Sequence, residues 1–188
     1  MQRSQVRELE RSLLATWPPL DEHRIDGWWL RAAEGTTGRA NAVTVIDANP
    51  SGLTDRIGEV ERWYHRRGLP PMFRLTPISE PSLDDHLARR GYVDRNGDTD
   101  TMVLDDLAGS TTAGSALDVA ITSTPSNGWW AMVDRSPEAQ QTMATMLGPL
   151  GERAGYATIH AGNGDEVAIG TAILDGERAT VANLHTHP

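Results

Sequence analysis

Arginine and asparagine side chains at strand spacing are the first candidates for chemistry in this sequence. Arg39 and Asn41 are two residues apart, so on a β-strand both would face the same side. A guanidinium beside an amide can bind a substrate carboxylate or amide. The alternative is a buried polar pair that fixes the contact between two parts of the chain. Arg31 and Arg74 also lie in strand-like runs. All four residues are candidates for substrate binding.

Glu166 is the candidate catalytic residue. It lies near the start of a strand-like run, where a carboxylate can act as a general base and take a proton from a substrate amine through water. Its neighbours Gly162, Gly164 and Asp165 are typical of an exposed turn. The alternative is therefore a solvated surface glutamate.

Two histidines near the end of the sequence, His185 and His187, are the candidate metal ligands. They are two residues apart and would need a third ligand, for which His160 is the available histidine. A histidine pair without fixed third and fourth ligands is a weak metal signal. We therefore expect no metal site.

Composition excludes several classes of protein. The 188 residues contain no cysteine, and all 17 basic residues are arginine, so a disulfide framework, a thiolate site and a lysine Schiff base are excluded. The net charge of -9 disfavours nucleic acid as a partner. No apolar run approaches the ~20 residues of a membrane helix, and the N-terminal residues lack the apolar centre of a signal peptide. We expect a cytoplasmic protein.

Residues 108–116 divide the sequence into two parts. They read AGSTTAGSA, a composition of small residues that is typical of a flexible linker. We predict an N-terminal half over 1–107 and a C-terminal part over 117–188.

Hydrophobic periodicity predicts alternating helices and strands in both parts. In the first part we predict a helix ended by Pro18, strands over 27–33 and 39–46 that form a hairpin, helices over 53–67 and 81–90, and strands over 71–76, 92–94 and 99–107. In the second part we predict a strand over 117–124, helical segments over 129–134 and 137–150, and strands over 154–161, 166–174 and 178–186. The fold class is α/β, a mixed and mostly antiparallel sheet flanked by helices.

Several stretches resemble the GNAT superfamily of N-acetyltransferases, in particular members in which a degenerate acetyltransferase-like half precedes the catalytic one. The stretches are WP at 17–18, DGWWLR at 26–31, GRANAV at 38–43, WY at 63–64, GLPP at 68–71, FRLT at 73–76, RGY at 90–92 and VAIGTA at 167–172. The resemblance covers nearly the whole sequence. It implies a GNAT-like fold in tandem, or in one and a half copies.

The resemblance also implies a reaction and a cosubstrate. It implies acetyl transfer from acetyl-CoA to a primary amine of a small molecule, with the backbone of Leu184, His185 and Thr186 paired with the pantetheine arm of acetyl-CoA. The phosphate-binding loop of the family would begin just beyond Pro188. We therefore expect this chain to be incomplete or inactive, with little acetyl-CoA turnover. The alternative is a non-catalytic GNAT-like module that binds a small molecule or regulates, and pairs with another chain.

The final predicted strand, 178–186, is expected to be covered, because a bare strand edge is a template for association. The first half can supply the cover through 71–76 or 39–46, which would make one continuous sheet. The other candidates are the same strand of a second copy, giving a homodimer, or a complementing chain.

Overall fold

The described residues form five α-helices, one 3-10 helix and eight strands. The computed structural model describes residues 1–49, 51–95, 99–105, 118–133 and 135–186. The elements are α1 (Arg3–Ala15), β1 (Asp21–Ile25), β2 (Trp28–Ala32), β3 (Val43–Val45), α2 (Leu53–His65), β4 (Phe73–Arg74), α3 (Leu83–Arg89), β5 (Asp118–Thr122), α4 (Asn127–Met132), α5 (Pro137–Leu147), the 3-10 helix (Gly148–Arg153), β6 (Ala154–His160), β7 (Glu166–Asp175) and β8 (Arg178–Thr186). The α/β class with mostly antiparallel sheets is confirmed.

The first sheet has the order β1-β2-β3-β4, with β3 antiparallel to β2 and parallel to β4. The predicted hairpin pairing is confirmed, since Trp28 lies opposite Val45. Gly27 is required in the β1–β2 turn, because its φ is +82° and a Cβ there would overlap the backbone of Asp47. The predicted strand over 39–46 is wrong in extent, because only Val43–Val45 are extended and residues 33–42 form turns.

Helix α2 covers the first sheet with the apolar stripe that the sequence predicts. Gly52, with φ +68°, lies at its N-terminal cap. The stripe is buried and meets α3 and the strands in one core. Its members are Leu53, Ile57, Val60, Trp63 and Tyr64.

The second sheet is antiparallel throughout, in the order β5-β6-β7-β8. Helices α4 and α5 pack on one of its faces through Trp129, Met143 and Met146. The helices begin where the sequence provides caps, since Ser126 accepts from the Trp129 N–H and Ser136 from the Ala139 N–H.

The two halves share a hydrophobic core. Trp17, Ala33 and Ala40 of the first half belong to the same buried cluster as Trp129 and the residues of α5. Across this contact Thr142 donates to Glu34 at 2.7 Å, and Arg178 lies 3.0 Å from Glu8. Helix α1 thus lies beside β8.

Three expectations about strands differ from the structure. Residues 92–94 and 99–105 are not extended into strands. Within the described residues the two sheets remain separate, so the continuous sheet through β8 is wrong. The physical reason is that β3 and β4 are already paired with each other, and that α1 contacts the beginning of β8, where Glu8 lies 3.0 Å from Arg178. The predicted linker over 108–116 lies outside the described residues.

Arginine carries almost every ion pair in the described part of the chain. Ten of the eleven ion pairs join an arginine to a carboxylate, and the remaining one joins His160 to Glu166. No helix among the described residues is both long and apolar enough to cross a membrane.

Candidate functional site

Glu166 lies at the end of the second sheet where β6 and β7 meet. It is the first residue of β7 and pairs with His160, the last residue of β6. The loop before α4 brings Ser126 to the same place. The structure therefore brings together a carboxylate, an imidazole and a hydroxyl.

The carboxylate of Glu166 is held rather than solvated. Its Oε1 accepts a 3.0 Å hydrogen bond from Ser126 Oγ and lies 3.8 Å from His160 Nε2. Its Oε2 is buried and has no hydrogen-bond partner in the described part of the chain. The Glu166 side chain is 23% exposed and the His160 side chain is 27% exposed. Such a group can take part in proton transfer at the edge of a solvent-accessible site.

Gly128 leaves the space in which this carboxylate lies. A Cβ built on Gly128 would overlap the Glu166 carboxyl group. Gly128 is therefore a position in α4 where a side chain and the observed Glu166 conformation exclude each other.

Strand β8 carries a β-bulge beside the three candidate cofactor-binding residues. Asn183 and Leu184 together lie opposite Gly170, and Asn183 has a φ of +51°. Leu184, His185 and Thr186 follow as exposed residues. Within the described residues β8 pairs with β7 alone, so its outer backbone groups are available to an extended ligand with amide groups.

Buried polar atoms without partners lie at this bulge. Asn183 Nδ2 and Thr171 Oγ1 are buried and unpartnered within the described residues. The Trp129 indole donates to the Gly170 carbonyl at 3.3 Å.

Arg31 is built into the core of the first half. Its side chain is fully buried, and its Nη atoms donate to the carbonyls of Leu14, at 3.0 Å, of Arg39, at 3.2 Å, and of Trp17. Burial lowers the pKa of Arg31 to about 10, and the charges of Arg39 and Arg74 act in the same direction. Its hydrogen bonds therefore serve the backbone around it.

Asn41 closes the loop between β2 and β3. Its Oδ1 accepts from the N–H groups of Ala33, at 2.7 Å, and Gly35, at 3.0 Å, and its Nδ2 donates to the Thr37 carbonyl at 2.7 Å. Because Asn41 lies in this loop, the predicted common strand face of Arg39 and Asn41 is wrong.

Arg39 and Arg74 are the more accessible members of the arginine group. Arg74 forms an ion pair with Glu10. The guanidinium of Arg39 lies 5.5 Å from the Trp17 ring and has no hydrogen bond or ion pair within the described part of the chain. Burial lowers the pKa of Arg39, and the charge of Arg74 lowers it further. The guanidinium N–H donors of Arg39 are therefore available to a ligand.

The strand, loop and helix order of a phosphate site is present in the first half, but a carboxylate of the chain fills it. Glu80 is buried before α3, and its Oε1 accepts from the Asn49 N–H at 2.9 Å and from the Trp28 indole at 3.0 Å. Arg56 closes the loop by donating to the carbonyls of Asn49 and Ser51. An incoming phosphate would meet the negative charge of Glu80.

The histidines considered for metal binding do not meet in the described residues. His160 is beside Glu166, His185 lies on β8, and His187 is outside the described residues. No group of three or more metal-binding side chains is found in the part of the chain that the structure describes.

Sequence reasoning missed the partners of Glu166. Ser126 is 40 residues before Glu166, so no local spacing joins them. The sequence offers one signal, Ser126 before a helical segment, which predicts an N-cap and places Gly128 in the first turn of the helix. The contact between Ser126 and the Glu166 carboxylate is tertiary, so the local sequence does not predict it.

One family model matches most of this chain, and two named proteins each match less than half of it. The sequence model of a family described as the probable histone acetyltransferase Rv0428c C-terminal region matches residues 3–179. A Bacillus subtilis protein named uncharacterized N-acetyltransferase YobR is 39% identical over 87 residues, which are 46% of this chain and 34% of YobR. The probable histone acetyltransferase Rv0428c of Mycobacterium tuberculosis is 36% identical over 77 residues, which are 39% of this chain and 25% of that protein.

A solved structure supports the fold. The crystal structure of a functionally unknown conserved protein from Staphylococcus epidermidis has a TM-score of 0.56 and 9% sequence identity, and the match covers 95% of this chain and 75% of that one. The chain spans 34% of the length of YobR and 25% of the length of Rv0428c. By the family match over residues 3–179, the chain belongs to the family of the Rv0428c histone acetyltransferase C-terminal region and is GNAT-like.

Proposed function

We propose that this chain transfers an acetyl group from acetyl-CoA to a primary amine. The names of the relatives support acetyl transfer. The observation that carries the proposal is the bulged, exposed edge of β8 on the same sheet as the held carboxylate of Glu166. One supplies a place for a thioester-bearing arm and the other a route for a proton.

The reaction needs no covalent intermediate with the protein, because the amine attacks the thioester directly. The amine nitrogen attacks the thioester carbonyl carbon, a C–N bond forms, the C–S bond breaks, and coenzyme A leaves as a thiolate. The proton on the nitrogen must be removed, and the thiolate is protonated. The protein's contribution is orientation of the two reactants and a positioned proton acceptor, the latter worth about 10²–10⁴-fold in rate.

We assign the cosubstrate arm to the backbone of Leu184, His185 and Thr186. The bulge at Asn183 turns the strand at this point and exposes these residues. Strand addition to an open edge satisfies amide groups of an extended ligand without a deep pocket.

We assign an anionic group of the acceptor to Arg39. The loop that carries it packs on α5 through Ala40 and through the hydrogen bond from Thr142 to Glu34. A planar guanidinium with free donors suits a carboxylate or phosphate. Acceptors that carry such a group are therefore expected to have a lower KM than neutral amines, and Arg39→Gln is expected to remove the difference.

Acetyl transfer measured by coenzyme A release and by the mass of the acetylated amine tests the function. We expect slow transfer by this chain, below about 1 per second, yet above the uncatalysed rate. Glu166→Gln should lower the rate of transfer by about 10²–10⁴-fold. Glu177→Gln, an exposed carboxylate in the turn at the opposite end of β7, is the matched control and should leave it unchanged.

Transfer at the uncatalysed rate with every amine would overturn the proposal. If acetyl-CoA then still binds in calorimetry, the alternative of a non-catalytic small-molecule-binding module applies. The exposed edge of β8 favours that module pairing with another chain or a second copy.

A further inference from the structure

We infer that His160 accepts the proton of the attacking amine, and that Glu166, fixed by Ser126 and Gly128, holds its imidazole in place. The inference rests on the proposed acetyl transfer. It makes His160 a catalytic residue, and Glu166, Ser126 and Gly128 positioning residues.

The surroundings of Glu166 leave its carboxylate poorly placed to take a proton from a substrate. Oε1 is engaged by the Ser126 hydroxyl at 3.0 Å. Oε2 is buried against Gly128 and is closed to solvent. A proton acceptor must reach its donor directly or through one water. The partner of this carboxylate is then the better candidate.

His160 has the geometry of that partner. Its Nε2 is 3.8 Å from Glu166 Oε1. This distance can shorten to that of a hydrogen bond when the imidazole becomes charged. Its ring is more than a quarter exposed, and Nδ1 makes no hydrogen bond within the described residues. With the proton of the neutral ring on Nε2, Nδ1 is free to accept one.

The proton balance is complete. The amine proton passes to His160 Nδ1 as the C–N bond forms, and the imidazolium is stabilised by the Glu166 carboxylate at Nε2. The C–S bond of the thioester breaks, and the proton passes through solvent to the coenzyme A thiolate. Histidine suits this role because its charge changes near neutral pH.

Three elements place charged groups around the imidazole. Asp118 of β5 is opposite His160 in the sheet, Glu166 belongs to β7, and Asp165 lies in the turn that joins β6 to β7. Asp118 and Asp165 are exposed, whereas Glu166 is mostly buried. Glu166 is thus the group with the least solvent screening.

Kinetics of His160→Gln provide the first test. We expect a fall of about 10²–10⁴-fold in kcat with KM for acetyl-CoA unchanged, and a changed pH profile of kcat/KM. His65→Gln, an exposed histidine at the end of α2, is the control and should keep both. An unchanged rate and pH profile in His160→Gln would overturn the inference.

The tautomer of the imidazole gives a second test that does not depend on turnover. Nitrogen-15 spectra recorded with a neutral imidazole should show the His160 proton on Nε2. Glu166→Gln and Gly128→Ala should both remove this preference for the Nε2 tautomer. Alanine favours a helix more than glycine does, so an equal or higher melting temperature of Gly128→Ala would show that the fold is retained.

The two tests separate the claims. A wild-type chain without transfer above background overturns the acetyl-transfer proposal and the catalytic role with it, whatever the tautomer. A tautomer unaffected by Glu166→Gln overturns the positioning by Glu166 even if transfer is observed.

Discussion

Arg31 and Arg39 differ in role although the sequence presents them alike. Arg31 is enclosed and donates to three backbone carbonyls, one of which belongs to Arg39. The Arg39 backbone is thereby fixed, while its guanidinium has no hydrogen-bond or ion-pair partner within the described residues and lies 5.5 Å from the Trp17 ring. A buried arginine stabilises the loop, and an accessible one on the same loop is left to bind.

Trp63 is a large buried side chain of the first core. It is 4% exposed, its ring contacts that of Tyr64, and the Arg67 guanidinium lies 3.7 Å above it. Trp63→Ala should lower the free energy of unfolding by about 3–5 kcal/mol, because a large buried ring leaves a cavity. Urea denaturation measures it.

Trp29→Ala is the matched control for Trp63. Trp29 is half-buried on the outer side of β2, beneath Arg24. Its loss should be clearly smaller than that of Trp63. Equal losses would contradict the assignment of Trp63 to the core.

The candidate site was predictable from the sequence one residue at a time. Glu166 was reached as a carboxylate at the start of a strand, but its contact with Ser126 was not, because it joins residues far apart in the sequence. Asn41 was placed on a strand because apolar and polar residues alternate around it, whereas its amide holds a turn instead. Local pattern identifies a polar residue and tertiary contacts decide its partner.

At the scale of elements, periodicity predicted the long helices and the last three strands well, since each has a continuous apolar face. It missed β1, whose residues DEHRI contain one apolar side chain and are mostly exposed. Pairing with β2 makes that segment a strand. The shortening of the strand before Val43 has the same origin, because local alternation does not report the loop contacts.

The β8 strand should show alternating amide protection. Its N–H groups that face β7 are paired, and those on the other side face no strand within the described residues. Hydrogen exchange of residues 178–186 in a monomeric sample should be slow at alternate positions. Slow exchange at every position at all dilutions would mean a cover from within the chain, and protection lost on dilution would mean a second copy.

Helix α2 is joined to the end of α3 by an acid-sensitive contact. Hydrogen bonds from Arg90 hold the pKa of Glu61 below its ordinary value of 4.5, and the Tyr92 hydroxyl adds to the effect. A carboxyl whose pKa is lower in the folded state stabilises above its unfolded pKa, and the contribution is lost as the pH falls through the folded pKa. The free energy of unfolding should therefore fall as the pH drops below the ordinary glutamate pKa of 4.5.

Glu61→Gln should make that fall shallower, as followed by denaturation at a series of pH values. Glu59→Gln is the control, since Glu59 is an exposed carboxylate on the same helix. The Glu61 contact would be irrelevant to acid stability if both variants followed the wild-type curve.

At the scale of the molecule, the two halves share one hydrophobic core. Trp17 of the first half belongs to the same buried cluster as Trp129 and the α5 residues of the second half. Its indole donates to Thr37 at 3.1 Å. The predicted boundary over 108–116 stays a prediction about chain composition. The packing itself couples the halves.

Unfolding should therefore occur in one cooperative transition. Calorimetry should give a single peak whose calorimetric and van't Hoff enthalpies agree. Trp17→Ala should lower that transition temperature or split the peak by uncoupling the halves. Two resolved peaks in the wild type would mean that the shared core contributes little.

Guanidinium groups form ten of the eleven ion pairs among the described residues, and no side chain in the sequence carries a primary amine. Amine-directed reagents that label lysine therefore leave the side chains untouched, and so does an acetyl donor that modifies lysine. In a reaction mixture with a peptide acceptor, side-chain acetyl-lysine belongs to the acceptor alone. An antibody or mass tag for acetyl-lysine would then report the acceptor without a background from the protein's side chains.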